Sequence, residues 1–483
     1  MSKAILISSI GLVALLCVSY NVHAEDDFDA KMLPDQYDLS ALDGLPVHSA
    51  NQTSDVYKIT DALKEIYLSN PEILASREEL KSIAEQLPQA TSNWRPTIDS
   101  TAQFLSSQTS PDTFGSATGE SEVYSLDLSQ PLFRGGRTVS EIAAAKNRYR
   151  AQEAVLLDAE QSVFLRGVQS YMDVVRDQRI ERLRDNNVTV LARQMEATQD
   201  RFDLGELTLT DVSQAKARHA DAKAQQIQAQ GILDVSKAAF ESVVGKYPVD
   251  LEMPDVSWYM LPSLSDVIAK AEQLAPNIRL ANYNQQASKN DVRTVEGELW
   301  PSLNLNGNAR RQMNPTFGTA KVLNSQSLTL QATVPLYSSG SVRSRIRQAK
   351  YIENQKKIEI LDARRTAKEN VTRAWHTYTS ALAVIVSREA QVEAERVALE
   401  GVREEEAFGT RTILDILDAE QEYLDAQVNL VSAEYEFVIS VYEILAAVGQ
   451  LTAERLNLAV PLFKPDDFQG EIRNKWFKTN IEK

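Results

Sequence analysis

The chain predicts a mostly α-helical protein with a small β part, built as two tandem structural repeats. Three observations carry that prediction. A helix–Gly–helix turn occurs twice, as Asp200–Val212 around Gly205 and as Glu404–Ala419 around Gly409, with the glycines 204 residues apart. Two pairs of segments alternate apolar and polar residues with a period of two, which is the strand period. Between strands and turns lie proline-free stretches of some 65 residues, far longer than an ordinary globular helix.

The elements follow in order. Residues 1–24 read as a secretory signal: Lys3 is the only charge, an apolar run spans Ile5 to Val18, and Val22-His23-Ala24 is a small-x-Ala cleavage site. Cys17, the single cysteine, lies inside that run behind Leu16, which is too large for a lipid-attachment site, so the mature chain is expected to lack thiols and disulfides. Residues 25–55 are acidic, hold Pro34, Gly44 and Pro46, and form an extension without periodicity.

The first repeat spans 56–250. Helices over 60–93 break at Asn70-Pro71, and strands follow at about 96–108 and 121–133. A long helix covers about 138–204 and a return helix 209–245. After a linker at 251–262, the second repeat (263–450) does the same, with a break at Ala275-Pro276 and strands at about 301–310 and 326–337. Its long helix covers about 342–408 and its return helix 413–449. Proline at the first helical position explains each break, and Gly245 and Gly449 close each return helix. Residues 451–483 form a mixed polar and aromatic C-terminal segment.

Each strand has one apolar face and one polar face. Leu328, Leu330, Ala332 and Val334 oppose Ser327, Thr329, Gln331 and Thr333, and Tyr124, Leu126 and Leu128 oppose Ser125, Asp127 and Ser129. Strands of about ten residues suit a transmembrane barrel, yet four strands from one chain would leave open edges in lipid. Two chains would give eight strands and little passage; three would give twelve and a lumen. The long helices reach roughly 100 Å at 1.5 Å per residue. The last return helix carries a 4–3 seam through Leu417, Leu424, Val431, Val438 and Leu445, as in a coiled coil.

Several function classes are excluded. Net charge is −16, against a nucleic-acid binder. The mature histidines His48, His219 and His376 have no metal-ligand spacing, and no phosphate loop or nucleophile elbow is present, so no enzyme, cofactor or structural metal is expected.

Gly409-Thr410-Arg411-Thr412-Ile413-Leu414-Asp415-Ile416-Leu417-Asp418-Ala419, its counterpart Gly205–Asp211, and the strand ends at Pro131 and Pro335 resemble the TolC family of outer-membrane efflux and secretion channels. The resemblance covers about 56–458. It implies a homotrimer with a 12-stranded β-barrel in the outer membrane of a Gram-negative bacterium, continuing into a periplasmic α-helical tunnel. Its partners would be outer-membrane lipid, a periplasmic adaptor (membrane fusion protein) and an inner-membrane ABC or proton-driven transporter. The ending Phe463-Lys464-Pro465-Asp466 with Arg473–Phe477 looks like that of members serving type I protein secretion. The expected role is the exit duct of a tripartite export system for type I protein secretion, multidrug efflux or both; a dedicated small-molecule or metal efflux channel, and a periplasmic coiled-coil adaptor or structural protein, are the alternatives.

By the same resemblance Arg411, Asp415 and Asp418 match periplasmic gate residues, and Thr210 and Asp211 match their partners on the neighbouring coiled coil. Glu406 stands where some members carry a gate tyrosine. Capping accounts for part of this pattern, because Thr208 with Asp211 and Thr412 with Asp415 form the S/T-x-x-D helix-start signature. Asp418 is not explained by capping; it lies one turn beyond Asp415, on the same face, and its counterpart is Gln214. Threefold symmetry would set Asp415 and Asp418 in rings, a possible cation site, and Arg411 would bridge to a neighbouring helix pair. The second copy alone has Arg411, Asp418 and the run Glu404-Glu405-Glu406.

Overall fold

The computed structural model describes residues 57–109, 117–256, 263–315 and 321–465. The signal, the acidic extension, part of the linker, both hairpin tips and the end of the tail lie outside the described residues.

Two repeats are superposed along the chain. In the first, α1 (Ile59–Ser69), α2 (Pro71–Ala84) and α3 (Gln86–Ser92) precede β1 (Thr97–Thr109) and β2 (Ala117–Arg134), then α4 (Arg137–Asp203) and α5 (Leu209–Val244). In the second, α6 (Leu264–Leu274) and α7 (Pro276–Glu296) precede β3 (Ser302–Met313) and β4 (Val322–Thr333), then α8 (Ser341–Ala407) and α9 (Ile413–Val448). Helices α4 and α8 both have 67 residues, and α5 and α9 both have 36. The copies differ at Pro88, which has no N–H for the carbonyl four residues back. The segment there splits into α2 and α3 while α7 runs on unbroken.

Strand β4 ends at Thr333, four residues before the sequence-based boundary. Its partner β3 begins at Ser302, opposite Thr333, so nothing pairs with residues 334–337 on that side. Strand β2 continues to Arg134 because β3 still lies beside it.

The sheet order is β1-β2-β3-β4, antiparallel throughout. Register turns the sequence alternation into rows. Ile98, Leu128, Gly307 and Leu328 stand side by side across all four strands, and the next row is Asp99, Asp127, Asn308 and Ser327. One face is therefore apolar and exposed; Leu328 is 72% accessible. The other is a polar network in which Asn308 Nδ2 donates to Asp127 (2.6 Å), Ser129 Oγ to Asn306 (3.2 Å) and Asn306 Nδ2 to Gln331 (3.3 Å). Asp99 directly opposite Asp127 would be costly in a dry setting and is tolerable on a hydrated face. Among the described residues β1 and β4 pair on one side only.

The main core sits halfway down the long helices. Phe164, Val168, Tyr171 and Met172 of α4 meet Ile66 of α1, Phe240 of α5, and Val441 and Leu445 of α9. Gly167 lets α1 approach: a β-carbon there would lie 2.2 Å from Ile66 Cδ1. After Gly449 the chain straps this core. Leu451 and Ala453 are buried, the Ala453 N–H donates to Glu160 (2.7 Å), the Phe463 N–H to the Tyr67 hydroxyl (2.9 Å), and Tyr149 Oη to the Pro465 carbonyl (2.8 Å).

Below the sheet, Gly135 (φ +63°) packs on the turn before β3, where a β-carbon would lie 2.3 Å from the Gly297 carbonyl, whereas Gly136 (φ +78°) faces open space. Gly136→Ala should cost about 1 kcal/mol through its left-handed backbone alone. Gly135→Ala should cost about 3 kcal/mol by adding a steric clash, seen as a lower midpoint for thermal loss of the assembled form.

Candidate functional site

The two helical turns at the far end of the long helices are built alike. Each long helix ends in a Schellman closure. Gly205 N–H donates to Phe202 O (2.9 Å) and Glu206 N–H to Arg201 O (2.9 Å); Gly409 N–H donates to Glu406 O (2.8 Å) and Thr410 N–H to Glu405 O (3.0 Å). Gly205 and Gly409 have φ of +80° and +76° with no atom near a would-be β-carbon, so glycine serves the backbone and not a contact.

Each return helix then starts with a capping box. Thr208 N–H donates to Asp211 (2.9 Å) and Asp211 N–H to Thr208 Oγ1 (3.3 Å). Thr412 N–H donates to Asp415 (2.8 Å) and Asp415 N–H to Thr412 Oγ1 (3.3 Å). These bonds favour the charged carboxylates. The Thr208 hydroxyl and N–H hold Asp211 below the usual range, and the Thr412 N–H and hydroxyl do the same for Asp415.

Arginines of the first hairpin join the two hairpins of one chain. Arg201 Nη1 donates to Glu406 (2.7 Å) and its Nε to Glu206 (3.3 Å), and Arg218 Nη2 donates to Asp418 (2.6 Å). Further up, Arg184 lies 3.8 Å from Asp425, and Arg179 pairs with Glu434. In all five ion pairs between the repeats among the described residues, these four and Arg148–Asp291 near the start of α4, the cation comes from the first repeat and the carboxylate from the second. Beside them Leu191, Ala222, Ile413 and Leu417 form a small apolar cluster.

The structure thus brings Glu406 and Asp418 into contact with the other hairpin. It keeps Arg411 within its own hairpin, at 2.9 Å from Glu405 and 3.8 Å from Asp415, and keeps Asp211 in its own cap. Thr210 is exposed at the first turn of α5. Glu406 is the sheltered carboxylate, its side chain 14% accessible, while Arg411 is half exposed. Arg201 and Arg218 were not among the sequence candidates. Their signal is charge reversal between repeats: 204 residues on, the equivalent positions are Glu405 and Glu422. Among the described residues no group of three or more His, Cys, Asp or Glu could hold a metal, and no helix is long and apolar enough to cross a membrane.

The model of the family described as "Outer membrane efflux protein" matches residues 62–246 and 267–450, one match for each repeat. The chain belongs to the outer membrane efflux protein family. It is 31% identical over 420 residues to the outer membrane efflux protein BepC of Brucella suis biovar 1 (strain 1330), covering 87% of this chain and 91% of that one. It is 26% identical over 318 residues to the proteases secretion protein PrtF of Dickeya chrysanthemi, covering 62% of this chain and 67% of the relative. Among solved structures, the Campylobacter jejuni CmeC outer membrane channel aligns with a TM-score of 0.71 at 16% identity, over 86% of this chain and 89% of that one. The TolC-family resemblance read from the turn motifs leads to this same family. Its members are channels, and the chain is an outer-membrane protein with a large helical periplasmic part.

The lowered values of Asp211 and Asp415 fix the sign of their pH dependence. Their capping contribution is complete above the ordinary carboxylate range, about pH 4, and is lost as pH falls through the lowered folded values. Amide protection at the starts of α5 and α9, corrected for intrinsic exchange, should be level from about pH 5 to 8 and drop only below about pH 4.

Proposed function

We propose that three copies of this chain close one 12-stranded outer-membrane barrel and continue it as a periplasmic tunnel, the exit duct of a tripartite export system. The observation that carries this is the open sheet with one apolar face, one polar face and, among the described residues, two unpaired edges. In hydrocarbon those edges need partners, and β4 of one copy can supply them to β1 of the next. Twelve strands leave a lumen for the polar face. An adaptor and an inner-membrane transporter would complete the path and supply the energy. The duct itself performs no catalysis and carries no cofactor. Its cargo class is efflux substrates or secreted proteins, in keeping with the names of BepC and PrtF. The protein should run as a heat-modifiable, detergent-requiring trimer and conduct in planar bilayers; a soluble monomer would end the proposal.

The tips form the gate in this reading. Arg201–Glu406 and Arg218–Asp418 hold the two hairpins of each copy together, which keeps the tunnel mouth narrow. Arg411, on the exposed side of the second tip, reaches a neighbouring copy at the cost of its contact with Glu405. Asp415 and Asp418 form the rings that attract cations, with Thr210 and Asp211 on the facing hairpin. Solvent-exposed ion pairs are each worth up to about 1 kcal/mol, so a gate of this kind is held by several weak links and yields to a partner. Arg201→Ser with Arg218→Ser should raise single-channel conductance and flatten its dependence on salt. Arg411→Ser should raise conductance further, and unchanged conductance would remove Arg411 from the gate. Asp415→Asn with Asp418→Asn should weaken block by multivalent cations, and persistent block would place that site elsewhere.

A further inference from the structure

A charged feature lies at the other end of the molecule, on the apolar face of the sheet. Gly307 marks that face: a β-carbon there would lie 3.4 Å from Leu128 Cβ and 3.8 Å from Leu328 Cδ1. Arg311 stands further along the same unshifted strand at an even spacing from Gly307, so it shares that face. Directly opposite it are Tyr124 on β2 and Asn324 on β4, and Gln326 stands diagonally below, opposite Ala309. Opposed β-carbons lie about 5 Å apart and diagonal neighbours about 7 Å, within reach of an arginine. Arg311, Asn324 and Gln326 are exposed, and among the described residues their side chains make no hydrogen bond or ion pair. Glu122, diagonally across on β2, accepts the Tyr124 hydroxyl at 3.3 Å.

The level is that of a membrane surface. Phe104 meets Tyr124 edge-on, with ring centroids 6.4 Å apart, and such aromatic girdles stand where lipid meets water. Strand β3 leaves the helices at Ser302 and ends at Met313, so Arg311 is near its outer end. From Leu303 to Arg311 is roughly 27 Å along a strand, or about 20 Å along the normal at a tilt of about 40°, near the top of an apolar band about 25 Å tall. The first hairpin has no equivalent. The hairpins start in matching register, Thr97 with Ser129 and Ser302 with Thr333, and the pair matching Arg311–Asn324 is Ser106–Glu120. Glu122 matches Gln326, so carboxylates stand there in place of amides.

On the reading that the sheet closes into a barrel with this face in lipid, we propose that Arg311, Asn324 and Gln326 bind the phosphate of a phosphorylated lipid of the outer leaflet. A guanidinium presents five N–H donors in a fork that fits a phosphate, and each side-chain amide adds two. A charge on a lipid-facing surface costs free energy unless an opposite charge meets it. The chain supplies no such partner among the described residues, and a lipid phosphate does. Free phosphate would gain only these polar contacts, whereas a lipid also lays its acyl chains on Leu126 and Leu328, both exposed below the site. Threefold closure makes three such sites, alternating around the rim with the acidic first hairpins.

The test is native mass spectrometry of the full chain, assembled in detergent and titrated with diphosphorylated lipid A and separately with the same glycolipid stripped of phosphate. Up to three phosphorylated lipids should bind each trimer, and the stripped form should bind about tenfold more weakly. Arg311→Gln should weaken binding of the phosphorylated lipid by about tenfold or more, and Asn324→Ala with Gln326→Ala by about threefold or more, because charge-assisted hydrogen bonds are roughly twice as strong as neutral ones. Arg310→Gln removes the neighbouring charge from the polar face and should leave binding unchanged. Equal affinity in wild type and Arg311→Gln, an equal loss in Arg310→Gln, or equal binding of the stripped lipid overturns the inference. Displacement of the lipid by millimolar inorganic phosphate would assign the site to free phosphate and overturn the lipid assignment. Conductance is measured on the same samples. Trimers that conduct without preferring the phosphorylated lipid reject the lipid site alone. A preparation that neither assembles nor conducts rejects the barrel reading, and with it the face on which the site stands.

Discussion

Backbone N–H and C=O groups cannot be left unpaired in hydrocarbon, and the architecture of this protein follows from that constraint. One chain supplies four strands whose rows are apolar on one face and hydrated on the other, and among the described residues β1 and β4 each keep a bare edge. A sheet of this kind has no stable place in lipid until its edges are joined. The symmetry of the assembly, the existence of a lumen and the alignment of the helices beneath it all rest on how those two edges are satisfied.

The helical part solves a different problem, that of carrying a path about 100 Å from the membrane without a wide core. Helices of 67 residues cannot bury an apolar stripe along their whole length unless they have neighbours throughout. The fold supplies neighbours unevenly. Halfway down, the short helices and the C-terminal strap build a core around Phe164, Tyr171 and Phe240. Toward the tips packing thins to a few residues such as Leu191 and Leu417, and ion pairs take over. The gradient from packed middle to ionic tip makes the tips the less firmly packed end of the helices.

The two hairpins share the same turns but carry opposite charges at certain equivalent positions. The Schellman closures and capping boxes of Gly205–Asp211 and Gly409–Asp415 superimpose bond for bond. Arg201 and Glu405 occupy equivalent positions, as do Arg218 and Glu422. Shared features turn the chain; divergent ones connect one hairpin to the other. That distinction also separates the roles of Asp415 and Asp418, the first engaged by its own helix terminus and the second by Arg218.

Much of this was legible in the sequence because it depends on local chemistry. Period-two alternation, Pro71 and Pro276 at helix starts, glycines with left-handed backbones and the S/T-x-x-D caps act within a few residues of themselves, so their positions alone determined the repeats, the strands and the turns. The break at Pro88 is equally local but leaves no mark on the apolar pattern, since a proline inside the first turn of α3 does not interrupt it. Tertiary structure decided the rest. Which carboxylate meets which arginine depends on how two hairpins lie against each other, as Arg201–Glu406 and Arg218–Asp418 show across about 200 residues of chain. Local interactions are written in neighbouring letters, while charge pairing and cavities arise from distances that exist only once the chain is folded.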